Sequence, residues 1–169
     1  MLAAGGAVVT RRAGLRRPVQ HVVAAADRLP IATAAVTHVW IVERLPCVAD
    51  ADAVLAEARR ALRPGGHLGV QDLVRVAGSP APALPGWHFA DVAARLAALR
   101  RAGFVDVDVH HRGAAALETP AQVTAARAQL HARLGATPAG AAVVAERATL
   151  AAAIAEGALD VVQLVARNP

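Results

Sequence analysis

The sequence has one cysteine, Cys47, no tyrosine and no lysine. A single thiol excludes a disulfide framework within the chain and any metal site built on several cysteines. Aromatic residues make up 2% of the 169. Ala, Val and Leu must therefore fill whatever core forms, and the set of rings that stacks on single-stranded nucleic acid is missing. No run reaches the roughly 20 charge-free apolar residues that a membrane helix needs. Arg11 to Arg17 follow an apolar stretch, the reverse of a secretory signal. These absences lead to the expectation of a soluble, cytoplasmic protein with no membrane partner.

What is present is apolar and arginine-rich. Hydrophobic residues are 56% of the chain, with a mean hydropathy of +0.40, enough for a real core in one domain of this length. All 18 basic residues are Arg, set against 13 acids for a net charge of +5. The pairs Arg11-Arg12, Arg16-Arg17, Arg59-Arg60 and Arg100-Arg101 are spread along the chain rather than massed. Several fall at helix ends, where cations oppose the helix dipole. Nucleic acid is therefore not the expected partner.

Periodicity predicts strands over residues 19–24, 36–42, 67–74, 104–110 and 159–166. It predicts helices over 50–62, 91–102, 121–134 and 139–156, with a weaker one over 1–13 that Gly5 and Gly6 interrupt. Asp50 or Asp52 caps the helix over 50–62. Ala53, Leu55, Ala58 and Leu62 form its apolar face, and Pro64-Gly65-Gly66 end it. The proline-rich stretch 79–85 is a loop. Strands alternating with helices predict an α/β, Rossmann-like, doubly wound sheet of about five strands.

The order of several short motifs resembles one family. Leu62-Arg63-Pro64-Gly65-Gly66, between a helix and a strand, resembles the approach to the fifth strand of the class I S-adenosylmethionine-dependent methyltransferases, of the methyltransferase type 11 kind. Arg28-Leu29-Pro30 resembles the segment after their third strand. Val39-Trp40-Ile41-Val42-Glu43 resembles the end of their fourth, and Ala102-Gly103-Phe104 the junction into their sixth. Residues 159–169 resemble their closing antiparallel strand. The resemblance implies a single methyltransferase-like domain over 1–169, with a helical insertion or lid over 112–157. It implies S-adenosylmethionine as cofactor and a small-molecule acceptor.

The glycine-rich turn after the family's first strand, and the acid after its second, have no counterpart here. The resemblance thus implies that the chain begins inside the domain and that methyl transfer is impaired in it. The third and fourth strands lose their usual neighbour, so an exposed sheet edge is expected. A longer true chain, a sheet closed up to five strands, or a homo- or hetero-oligomer pairing at that edge would each remove the exposure. A methyltransferase-like module that binds a partner without catalysis is the alternative function.

The candidate site residues follow from this frame. Glu43 closes a strand at the carboxyl end, where sites in such folds lie. It could orient an acceptor, hold a water, act as a base or touch cofactor, or equally be a solvated acid at a helix start. Trp40 could line the methyl-transfer pocket or pack in the core. Asp27 aligns near the family's adenine-contacting acid and could reach the adenine amine if the turn were rearranged; a capping or turn role is the plainer reading. His88, between Trp87 and Phe89, is the other candidate base, against a surface histidine. Asp72, late in its strand, could line the cleft or be solvated. Cys47 reads as an inert thiol. His110 and His111 face opposite sides of a strand and make no simple metal chelate, so no metal site is expected.

Overall fold

The computed structural model describes residues 19–113, 115 and 121–169, with side chains for all of these except 121–126. The helix expected over 1–13 lies outside the described residues. Chain order is β1 (Val36–Val42), a 3-10 turn (Leu45–Cys47), α1 (Ala51–Ala61), β2 (Leu62–Arg75), α2 (Val92–Arg101), β3 (Val105–His111), α3 (Ala121–Gly135), α4 (Pro138–Ala155) and β4 (Leu159–Arg167). The sheet order is β1-β2-β4-β3. β1 runs parallel to β2, and β4 is inserted antiparallel to both β2 and β3.

This is the expected α/β, Rossmann-like sheet with an antiparallel last strand, built of four strands among the described residues rather than five. Residues 19–24 do not form a strand. Val19, Val22 and Val23 are 47%, 64% and 72% exposed. An apolar run becomes a strand only where a neighbour takes its backbone groups, and no strand among the described residues pairs with it. The outer edge of β1 is likewise unpaired among the described residues.

α1 begins where the Asp50 carboxylate accepts the Ala53 N–H at 2.9 Å. Its buried face is Val54, Leu55, Ala58 and Ala61, rotated slightly from the expected one. Asp52 instead reaches across to Arg101 on α2, at 2.8 Å. α2 is capped in the same way, by Asp91 on the Ala94 N–H.

The glycine turn differs from expectation in an informative way. Helix α1 stops at Ala61, and β2 starts at once with Leu62. Pro64, Gly65 and Gly66 form an irregularity inside the strand, between the pairs Val36–Leu62 and His38–His67. Gly65 takes a φ of +74°, which glycine adopts without steric cost. The penultimate residue, Asn168, locks this bulge. Its backbone exchanges hydrogen bonds with Gly65 and Gly66 at 2.8 Å each, and its side-chain amide donates to the carbonyls of Leu62 and Arg63 at 3.0 and 3.1 Å.

Two apolar clusters hold the layers. On one face of the sheet, Leu55, Leu99 and Phe104 pack on Leu68, Val162 and Leu164. On the opposite face, Leu150 and Ala153 of α4 pack on Leu73, Leu159 and Val161, with Trp87 and Phe89 beside them. α4 is long and apolar enough to cross a membrane by length and composition alone. Glu146 and Arg147 sit mid-helix in it, and here its Leu150–Ala153 stripe is spent on the sheet. The rest of this second face, around Trp40, carries no helix among the described residues.

Candidate functional site at the carboxyl ends of the parallel strands

Two parallel strands, β1 and β2, end side by side, and the chain leaves β1 through Glu43. That residue has a φ of +49°, a left-handed conformation uncommon for a side chain of its size. Its N–H donates to the Gln71 carbonyl at 2.7 Å, which fixes the turn against β2. The 3-10 turn then begins at Leu45, with Pro46 in its first turn.

Strand alternation puts Gln71 and Gln163 on one face, directly paired in register. The Gln163 amide donates to the Gln71 side-chain oxygen at 3.1 Å. The Gln71 amide donates to the Glu43 carboxylate at 3.4 Å. From α4, Arg147 reaches the other carboxylate oxygen at 3.4 Å. Three strands and one helix thus converge on a single half-buried acid. A cavity of about 740 Å³ opens over this row, floored by Leu73 and Val161 and walled by α3 and α4. Its size suits a drug-sized molecule.

Below the sheet lies a second polar pair. Asp72 is fully buried on the opposite face of β2, and Arg95 of α2 meets it at 2.8 Å with 3% of its side chain exposed. The expectation that Asp72 lines the cleft or is solvated is therefore overturned: the residue beside Gln71 must face the other way, into the layer under α2. Burial pushes its carboxyl up to about 6, against the lowering pull of the Arg95 charge. Burial also raises the Cys47 thiol, whose Sγ lies 4.0 Å from the Glu43 carbonyl.

The other sequence candidates are dispersed. Trp40 is 72% exposed. Its ring lies flat enough over Gly69 that an added Cβ there would meet it at 2.6 Å. With His38, His67 and Val165 it borders a smaller hollow of about 290 Å³. Asp27 is exposed in the turn that the Ala25–Arg28 bridge closes. His88 is exposed, and its backbone N–H donates to the Pro46 carbonyl at 2.6 Å. The stacked rings of Trp87 and Phe89, 5.4 Å apart, anchor the segment that carries it. His111 pairs with Asp160, whose other oxygen accepts the Gly113 N–H at 2.8 Å.

Sequence reasoning singled out Glu43 and missed Gln71, Gln163 and Arg147. A lone amide in the middle of each apolar strand was the available signal. Only pairing in register turns two such residues into one row.

Comparison with known proteins fits this geometry. Residues 4–70 match the family model described as a methyltransferase domain. No curated protein matches the chain. Among solved structures, the cyclase SpnF is 24% identical with a TM-score of 0.76, covering 99% of this chain and 62% of that one. A putative sarcosine dimethylglycine methyltransferase from Galdieria sulphuraria is 13% identical at TM-score 0.77, covering 98% and 65%. Geranyl diphosphate C-methyltransferase from Streptomyces coelicolor, in complex with Mg2+, geranyl diphosphate and S-adenosyl-L-homocysteine, is 16% identical at 0.68, covering 99% and 61%. The chain thus spans a little over three fifths of the length of these structures. Residues 4–70 thus resemble a methyltransferase domain, and the fold of the described residues is that of these structures.

Proposed function

We propose that this protein serves methyl transfer from S-adenosylmethionine to a small-molecule acceptor, with the acceptor in the 740 Å³ cavity. The observation that carries the reading is Glu43. It is held in a left-handed backbone conformation at the carboxyl end of a parallel strand, at the edge of that cavity. Local strain of this kind persists where the surroundings over-determine it, and it gathers at functional sites.

The cofactor supplies an electrophilic methyl on a positively charged sulfur. The chain's task is then positioning. Glu43 receives the acceptor's proton, and Gln71 and Arg147 hold its two oxygens in place. His88, exposed beside the 3-10 turn, is the second candidate base. Asp27 offers an exposed carboxylate suited to an adenine amine, and Trp40 and Glu43 are assigned to the same cofactor side. The segment 112–157, which includes α3 and α4, acts as a lid over the acceptor. Structures of similar fold complexed with S-adenosylmethionine or its demethylated product support that choice of cofactor.

One observation favours a second reading. Trp40 and Val42 are 72% and 58% exposed on β1, which is the edge strand among the described residues. Such an edge suits pairing with another chain, so the protein would be a methyltransferase-like partner module, or an oligomer joined there.

The test is transfer of labelled methyl from S-adenosylmethionine into a small-molecule extract incubated with the purified protein. Label in extractable product supports methyl transfer. No label, together with a stable complex of higher mass in light scattering, supports the partner module.

A further inference from the structure

The walls of the cavity state more about the acceptor than the fold does. Three arginines line it, Arg112, Arg127 and Arg147, against one acid, Glu43. Arg147 is engaged by that carboxylate. Among the described residues, neither Arg112 nor Arg127 has a carboxylate within 4.0 Å. Arg112 is fixed at the end of β3 by its N–H on the Val161 carbonyl, 2.7 Å away. Arg127 comes from α3, across the cavity wall. The remaining lining is largely aliphatic, with Leu134, Val144 and Ile154 of the helical hairpin above Leu73 and Val161 of the sheet.

We propose that the cavity binds an amphiphilic anion: an apolar chain or ring system bearing a phosphate, diphosphate or carboxylate that Arg112 and Arg127 hold. This rests on the reading of the cavity as the acceptor site. A planar guanidinium pairs with such oxyanions through two parallel hydrogen bonds. Two such cations beside an aliphatic wall favour an anion over a cationic acceptor. The excess positive charge also concentrates anions at the mouth before they bind. Arg147, balanced by Glu43, orients the base rather than the ligand.

The probe is octyl phosphate, kept below its micelle concentration and titrated into the full chain by calorimetry. Saturable binding is expected, at least about tenfold tighter than that of octanol, the gain of one charge-assisted contact. Inorganic phosphate alone should bind weakly, since it forgoes the aliphatic wall. Arg112→Ala and Arg127→Ala should each weaken octyl phosphate about tenfold and leave octanol unchanged. Arg100→Ala, at the far end of α2, should change neither. Equal affinity for octanol and octyl phosphate overturns the proposal. So does binding only to anionic phosphatidylglycerol vesicles, which would mark a membrane surface instead. A parallel titration with S-adenosylhomocysteine keeps the two readings apart: its failure alone removes methyl transfer and leaves the anion site standing.

Discussion

Asp72 and Arg95 form an ion pair at 2.8 Å with both side chains sealed from water. Removing one partner leaves an uncompensated buried charge, whereas replacing both with apolar groups does not. Arg95→Met is expected to cost about 3–5 kcal/mol in urea unfolding. Asp72→Leu combined with Arg95→Met is expected to match or exceed the wild-type stability. A double variant as unstable as the single one would show that the pair is a net stabiliser.

The same carboxyl gives a pH signature. Its pKa rises from 3.8 to about 6 on folding, so between those values the folded state holds a proton that the unfolded state has released. The contribution of this group to stability therefore falls as pH rises through that window. Unfolding measured from pH 4 to 6 should show the decline in wild type and lose that component in the double variant.

Glu57 predicts the opposite slope. Hydrogen bonds from Arg60 and from the Leu29 N–H hold its carboxyl down to about 2. Arg60 in turn donates to the Ile31 carbonyl at 2.6 Å and to Thr33 at 3.1 Å. This contribution is full above pH 4.5 and is lost as pH falls through 2. Glu57→Gln should speed amide exchange at Leu29 while leaving β2 protected. Unchanged protection at Leu29 would mean the segment is held by other contacts.

These residues show how far the sequence could be read. The strands and helices of the sheet were legible because Leu55, Leu68 and Val162 repeat at helical or strand spacing. The Asp72–Arg95 pair left a trace: Arg95 falls on the apolar stripe of α2, with Val92 and Leu99 at i−3 and i+4. Its partner lies 23 residues away, so only the packing of helix on strand joins them. Residues 19–24 failed for the converse reason. Their valines have strand character, but strand formation depends on a neighbour that local pattern does not specify. Glu43 was legible from its place at a strand end. Its row with Gln71 and Gln163 depends on register between strands about 90 residues apart.

Asn168 makes a prediction of its own. Asn168→Ala would leave the Leu62 and Arg63 carbonyls without their amide donor, at a cost of about 1–3 kcal/mol in thermal unfolding. Gly65→Ala should cost about 1 kcal/mol for a different reason, since a Cβ there meets nothing within 4 Å and only the positive φ resists it. Near-wild-type melting of Asn168→Ala would show that the backbone bonds alone close the bulge.

Glu43→Gln separates positioning from proton transfer, because the amide keeps the shape and loses the base. Labelled product is expected to form about 100-fold more slowly or worse. Wild-type product formation by this variant would move the proton to another group, His88 first.

The proposed methyl-transfer site at the carboxyl ends of β1 and β2 requires that the chain bind the cofactor's demethylated product. Titration of the full chain with S-adenosylhomocysteine by calorimetry tests it most directly. Saturable one-to-one binding with a dissociation constant in the micromolar range is expected. An absence of binding heat and of any thermal stabilisation by the ligand would contradict it.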